Sequence, residues 1–337
     1  MLMSTPSVRV AVIGAGGSIS TPARGPLDLS EYADYTRTLD IADLLAMFRD
    51  QLADFDLLPV PFRTFVSYAI TTADWLALND TITAVLERDP SIGAIVVVHG
   101  TSTLEETAYF LSLVVKTSKP VVVMGAQRPP NGLGTDAGIA LVNAFRVATS
   151  NQARDLGVMV VMGGEILSAR DVTKESNTLM HSFRTHDLGA LGYVDPDGTV
   201  TVYRRSTRRT APDTEFDVNG RADLPLVDIV YGYAGADGRA IDALVRTGSR
   251  GIVVAGMPPG VPTPAQFSAL AEASRQGVLV VRSSRGRSGR VMTRSKYREA
   301  GFVAADTLNP QRARILAMLA LTVTEDRAEI TRMFAEY

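Results

Sequence analysis

Apolar positions along this chain follow two different periods. Short continuous runs at 8–13, 94–98, 121–124 and 158–162 are rich in Val and Ile, as strands buried on both faces of a parallel sheet should be. Between and before them, stretches with helical spacing occupy 40–53, 73–87, 104–115 and 136–149, and a polar stretch separates the first two of these. This alternation predicts a mainly parallel sheet with right-handed crossovers. GYVDPDGTVTVYRR predicts a hairpin turning at Asp-Gly. The polar, basic tract after it reads as a linker over 206–225. A second rhythm follows, with strands at 227–231, 251–255 and 278–281 and helices at 238–247 and 264–275. A final helix over 309–323 is entered at Asn309-Pro310. The pattern predicts two α/β domains, 1–205 and 226–337, joined by that linker.

Composition narrows the chemistry. Of 337 residues 46% are hydrophobic and 21% charged, and the formal net charge is −2. That balance gives no reason to expect nucleic acid or a membrane surface as partner. The absence of cysteine rules out disulfides, thiolate catalysis and Cys-ligated metal. The N-terminal stretch lacks the pattern of a secretory signal, and no window is apolar enough to span a bilayer, so a soluble cytoplasmic protein is expected.

Four polar clusters fall where strands of the first sheet should end. GAGGSIS (14–20) follows the first strand. Its glycines lack the GxGxxG spacing of a dinucleotide site. The turn reads instead as a device that presents Ser18 and lets the backbone around Gly17 approach a ligand. SYAITTADW (67–75) supplies Ser67 and Tyr68, with Thr71 or Thr72 able to cap a helix. HGTSTLEETA (99–108) places Gly100, Thr101 and Ser102 ahead of a helix that Ser102 or Thr103 could cap, with Glu105 and Glu106 in its first turn. SARDVTKESNT (168–178) adds Asp171 and Lys174. A hydroxyl nucleophile needs a base. A partly buried lysine can serve, because burial disfavours its charged form. His99, His181 and His186 form neither a Ser-His-Asp order nor a zinc spacing, so no metal is expected.

Together these clusters resemble the bacterial L-asparaginase family. Its TGGTI, HGTDTxEETA and DVTK motifs correspond to GAGGSIS, HGTSTLEETA and RDVTK, in collinear order. VVVMGAQRPPNGLGTDAG (121–138) and TLNPQRAR (307–314) are similar to the family as well. The resemblance implies a two-domain α/β asparaginase-like fold, with a mainly parallel sheet in a large N-terminal domain and a smaller C-terminal α/β domain. It also implies a cofactor-free amidohydrolase that assembles as a homodimer or homotetramer, with its active site near an intersubunit interface. Ser18 matches the nucleophile, a threonine in the family; Thr101 and Lys174 match the second catalytic hydroxyl and its lysine. Tyr32 is the better match to the loop tyrosine and Tyr35 its rival. Ser67 matches the serine that holds the substrate's α-carboxylate, and Gly17, Tyr68, Gly100 and Ser102 would line the same site. The implied reaction forms an acyl-enzyme that water releases, with the N–H of Thr101 or a neighbour stabilising the oxyanion.

Three positions depart from the family. Ser102 stands where the family has an aspartate that binds the substrate's α-ammonium and partners the lysine. Pro259, in GMPPG, stands where an asparagine reaches the neighbouring subunit's site, and the family's ammonium-binding glutamate falls near Arg294. A buried ammonium without a carboxylate is costly. The expected substrate is therefore a small carboxylate-bearing amide, imide or lactone held without that anchor, and Lys174, freed of an ion partner, should have a lower pKa than its family counterpart. One alternative is an ordinary L-asparaginase whose amine site is restored by another acid, such as Glu299. The other is a non-catalytic small-acid binder, which would not need Ser18, Tyr32, Thr101 and Lys174 together.

Overall fold

The apolar runs become strands of a parallel sheet. The computed structural model describes residues 8–34 and 38–337, and the chain divides into two units, Met1–Asp213 and Thr214–Tyr337. The first unit opens with β1 (Arg9–Gly14), α1 (Ile41–Met47), β2 (Asp56–Val60), α2 (Thr72–Arg88) and β3 (Ile92–Val98). It continues through α3 (Leu104–Val114), β4 (Val121–Met124), α4 (Ala137–Thr149) and β5 (Val158–Met162). Five short strands close it: β6 (Glu165–Ser168), β7 (Thr173–Lys174), β8 (Phe183–Arg184), β9 (Gly192–Val194) and β10 (Val200–Val202). The main sheet has the order β10-β9-β6-β5-β4-β3-β1-β2, while β7 and β8 pair separately. Strands β2, β1, β3, β4 and β5 run parallel, and β6, β9 and β10 are antiparallel.

Burial on both faces explains the continuous apolar runs. Val10, Val12, Ala94, Val96, Val98, Val122 and Met124 share one cluster with Ile41, Leu44, Leu141 and Phe145 of α1 and α4. The intervening Ala11, Ile13, Ile95, Val97 and Val123 are buried as completely. Each valine side chain withdrawn from water contributes roughly 1.5–3 kcal/mol, which favours this register strongly. The order also places a topological switch between β1 and β3, because the chain leaves β1 for β2 on one side and continues through β3 on the other. In such sheets the crevice for a ligand opens at the carboxyl ends of those two strands.

Several elements differ from the sequence expectation. The helix expected over 40–53 stops at Met47 and continues as turns. The polar stretch after it contains β2, an edge strand with mixed exposure whose Pro59 has no N–H to donate. The expected hairpin is present, with Val194 opposite Val200 and Gly198 at φ +90° in its turn. Residues 203–226 carry neither helix nor strand.

The second unit runs β11 (Val227–Tyr231), α5 (Arg239–Arg246), β12 (Gly251–Gly256), α6 (Pro264–Arg275) and β13 (Leu279–Ser284). It ends with α7 (Ser295–Glu299), β14 (Phe302–Ala304), α8 (Pro310–Val323) and α9 (Arg327–Glu336). Its four strands form a parallel sheet in sequence order. The pattern missed α7, β14 and α9. Helix α9 starts at Asp326, whose carboxylate accepts from the Ala328 N–H at 2.9 Å, and it buries Ile330, Met333 and Phe334. Strand β13 outruns the expected strand end because it includes Arg282, a charged residue that an apolar run would exclude. The guanidinium is buried yet satisfied, donating to Gly260 O at 3.1 Å and Met292 O at 3.3 Å and lying 3.5 Å from the Tyr297 ring centre. No helix among the described residues is long and apolar enough to cross a membrane.

Candidate active site

The crevice at the switch point is built first from backbone. Beyond β1 the chain turns through Gly16 and Gly17, at φ +83° and +92°, into a short 3-10 turn, Ser18–Ser20. A Cβ on Gly17 would lie 2.0 Å from Gly100 Cα, and one on Gly100 would lie 2.5 Å from Ser67 Cβ and 2.7 Å from Gly17 Cα. The loops after β1, after β3 and before α2 therefore meet at atoms that leave no room for a side chain. The Gly17 N–H donates to Phe65 O at 3.2 Å and adds a backbone tie between two of these loops. Among residues 11–20, Ser18 alone keeps partial exposure.

The hydroxyls ahead of α3 have a different use from the expected one. Thr103 occupies the N-cap position of α3, as expected, but its side chain makes no capping hydrogen bond. The Thr103 hydroxyl donates to Ser67 O at 2.6 Å, and the Ser102 N–H donates to Ser67 Oγ at 3.3 Å. Both bonds bind the β3 loop to Ser67, which is itself buried. A side-chain cap is formed on the neighbouring α2, where Thr71 and Asp74 form a reciprocal capping box. Thr101 is buried, and its Oγ1 accepts a 2.6 Å hydrogen bond from Lys174 Nζ. Its own proton points to Gln127 Oε1, 3.5 Å away.

Lys174 sits on β7, paired with Phe183 of β8. Burial pushes its pKa below the ordinary lysine value, and no charged neighbour offsets the effect. Nearby acids are engaged elsewhere: Asp171 pairs with Arg170 at 2.9 Å, and Glu175 pairs with His186. A lysine with a depressed pKa bonded to a buried hydroxyl is a pair able to accept and relay a proton.

His99 lies under the same loop with no exposed surface. Its Nδ1 is 2.8 Å from Gly100 O, which can only accept, so Nδ1 carries the proton. Nε2 then accepts from Thr107 Oγ1 at 3.0 Å, and that oxygen accepts from Trp75 Nε1 at 2.9 Å. Burial lowers the imidazole pKa to about 4. The ring is a neutral strut between α3 and the Gly100 carbonyl.

The structure thus brings Gly17, Gly100, Ser67, Ser102, Thr101 and Lys174 into one set of contacts, with Ser18 next to Gly17. Three of the sequence candidates, Tyr32, Tyr68 and Arg294, stand apart from those hydrogen bonds. Tyr32 is buried in a 3-10 turn, Tyr32–Asp34, and Tyr68 is 70% exposed. Tyr35 lies outside the described residues. Arg294 belongs to the second unit, exposed just ahead of α7, with its guanidinium 5.9 Å from the Tyr297 ring centre. Glu299 is exposed at the end of the same helix. Gln127 joins the set around Thr101 although its motif gave it no assigned role. Its signal was a polar residue just past the carboxyl end of β4, inside the segment 121–138. A groove of about 490 Å³ lined by Lys119, Asp155 and Arg208 opens at the amino ends of β4 and β5, away from all of these residues.

Residues 9–208 match the family model described as "Asparaginase, N-terminal", and 226–334 match "Glutaminase/Asparaginase C-terminal domain". The chain is 42% identical to L-asparaginase 2 of Escherichia coli over 265 residues, covering 78% of this chain and 75% of that one. It is 36% identical to the glutaminase-asparaginase of Pseudomonas fluorescens over 336 residues, 99% of this chain and 91% of the other. The crystal structure of a probable cytoplasmic L-asparaginase from Campylobacter jejuni superposes with a TM-score of 0.93 at 35% identity, covering 98% of this chain and all of its own.

Proposed function

The chain belongs to the asparaginase family of hydrolases acting on carbon–nitrogen bonds, and we propose that it acts through a Ser18 acyl-enzyme on a carboxylate-bearing amide, imide or lactone held without the usual α-ammonium anchor. Ser18 Oγ attacks the carbonyl carbon and gives up its proton, the C–N bond (C–O in a lactone) breaks, and that proton goes to the leaving nitrogen or oxygen. A water molecule then attacks the acyl carbon while losing a proton toward Thr101 and Lys174, the Ser18 Oγ–acyl bond breaks, and Ser18 regains a proton as the acid leaves. The Thr101 N–H, which has no acceptor among the described residues, suits the oxyanion. Tyr32 keeps the loop-tyrosine role, and Ser67, Tyr68 and Ser102 the wall around the substrate.

One observation carries the substrate part of this reading. Lys174 contacts Thr101 at 2.6 Å with burial as the sole cause of its pKa shift, while the next residue along is a neutral serine. An acid in that position would hold Lys174 charged and would receive an ammonium; Ser102 does neither. A second reading, ordinary hydrolysis of L-asparagine or L-glutamine, is favoured by the names of the relatives. A cytoplasmic homotetramer or homodimer accompanies either reading, and light scattering on the purified protein tests the assembly.

The reaction itself is tested by ammonia release from L-asparagine, D-asparagine, L-glutamine and succinamate, with hydroxylamine as a trap. Turnover that vanishes in Ser18→Ala and is diverted to a hydroxamate supports the acyl-enzyme. Turnover that survives Ser18→Ala removes Ser18 from the role.

A further inference from the structure

Gln127 is the polar side chain beside the Thr101–Lys174 pair to which the proposed reaction gives no role. Asp136 fixes its backbone: the carboxylate accepts the Gln127 N–H at 2.9 Å and the Arg128 N–H at 3.1 Å. The side chain then reaches back across the ends of β4 and β3 to Thr101, with Oε1 3.5 Å from the hydroxyl. Its Nε2 is buried without any hydrogen-bond partner. A buried amide donor left unpaired is uncommon in folded proteins and calls for an explanation.

The Thr101 hydroxyl has one proton to donate and two lone pairs to accept with. Lys174 occupies one lone pair at 2.6 Å, and the proton is directed at Gln127. The 3.5 Å separation is at the outer edge of hydrogen-bond range. Bonds of this kind at catalytic groups often tighten only when substrate is present.

We propose that Gln127 is a positioning residue for Thr101, whose side-chain amide can hold the hydroxyl proton away from Lys174 or, turned over, release it to that amine. With Oε1 toward Thr101 the hydroxyl proton is engaged. With Nε2 toward Thr101 the amide donates instead, one Thr101 lone pair accepts from it, the hydroxyl proton is free to pass to the Lys174 amine, and the second lone pair is left for the proton of the incoming water. Either orientation leaves one amide atom buried and unpaired, so neither is strongly preferred on that count. This inference rests on Thr101 and Lys174 acting as the second hydroxyl and its base.

The charged groups around the pair do not supply this function. Asp136 is committed to backbone N–H groups. Asp171 is paired with Arg170, Glu175 with His186 and Glu165 with His181. Lys174 itself feels burial and no neighbouring charge.

The experiment compares wild type, Gln127→Met, Gln127→Glu and Ser18→Ala in ammonia release from L-asparagine and succinamate across pH, alongside thermal melts. Gln127→Met removes the amide and its orphaned donor while keeping the length of the side chain. Its kcat should fall about tenfold, the size of one neutral hydrogen bond, with KM nearly unchanged and a melting temperature equal to or above wild type. Gln127→Glu places a carboxylate beside Lys174, so the acid limb of its kcat profile should move to higher pH by about one unit. A Gln127→Met enzyme with wild-type kcat overturns the positioning role. So does a loss of activity accompanied by a matching loss of stability, since that would mark a merely structural residue. Activity that persists in Ser18→Ala, or a wild type silent on both amides, instead overturns the reading of the site on which this inference stands.

Discussion

Gly100→Ala tests whether the site depends on three loops touching backbone to backbone. The new Cβ would sit 2.5 Å from Ser67 Cβ, 2.7 Å from Gly17 Cα and 2.9 Å from Ser67 Oγ. None of these atoms is the far end of a flexible chain, so the loops must separate. Overpacking of this kind costs about 1–3 kcal/mol. In a unit of this size, that lowers the melting temperature by roughly 2–4 °C per kcal/mol. The larger effect should be on turnover. Ser67 accepts the Ser102 N–H and Thr103 hydroxyl bonds that set the β3 loop, and a displacement of about 1 Å at such a site can cost on the order of 100-fold in rate. The assay is kcat/KM for the best amide substrate together with a thermal melt, with Gly25→Ala as control because its added Cβ meets nothing within 4 Å. Gly17→Ala should be worse, since its φ of +92° adds backbone strain to the clash. A Gly100→Ala protein that melts and turns over as Gly25→Ala does would refute the close-packing argument.

Two further predictions follow from buried titratable groups. The folded state lowers the Lys174 pKa below its ordinary 10.5, so the unfolded chain binds that proton more tightly and stability rises as pH climbs between the two values. Lys174→Met should therefore melt higher than wild type at neutral pH while losing amidase activity; a lower melting temperature would contradict the buried-charge account. His99 is held near 4 against an ordinary 6.5, so stability should fall as pH drops through that window, by on the order of 3 kcal/mol from this group. Denaturant melts at pH 7 and pH 4.5 should show a smaller difference for His99→Gln than for wild type, and equal differences would place the titration elsewhere.

What the sequence revealed depended on how local each cause was. Residues 94–98 were legible because a strand buried on both faces must be apolar throughout, whereas β2 escaped notice as an exposed edge strand containing Pro59. The hydroxyls at 101–103 looked like helix caps because any Ser or Thr ahead of a helix does. Nothing in the local pattern says that Thr103 will spend its proton on a carbonyl 36 residues away. Ser18, Thr101 and Lys174 were found through collinear motifs rather than periodicity. Gln127 was assigned no role because its meaning lies in a neighbour across the sheet ends, 26 residues distant.

Whether hydrolysis here proceeds without an ammonium anchor is decided by the ratio of kcat/KM for succinamate to that for L-asparagine, measured in wild type and in Ser102→Asp. The wild-type ratio should be at or above one, and should fall at least tenfold when Ser102→Asp places a carboxylate next to Thr101 that can receive the substrate's amine. A wild type that strongly prefers L-asparagine, with a ratio unmoved by Ser102→Asp, would contradict an anchor-free site and leave an ordinary asparaginase whose amine is held by another group.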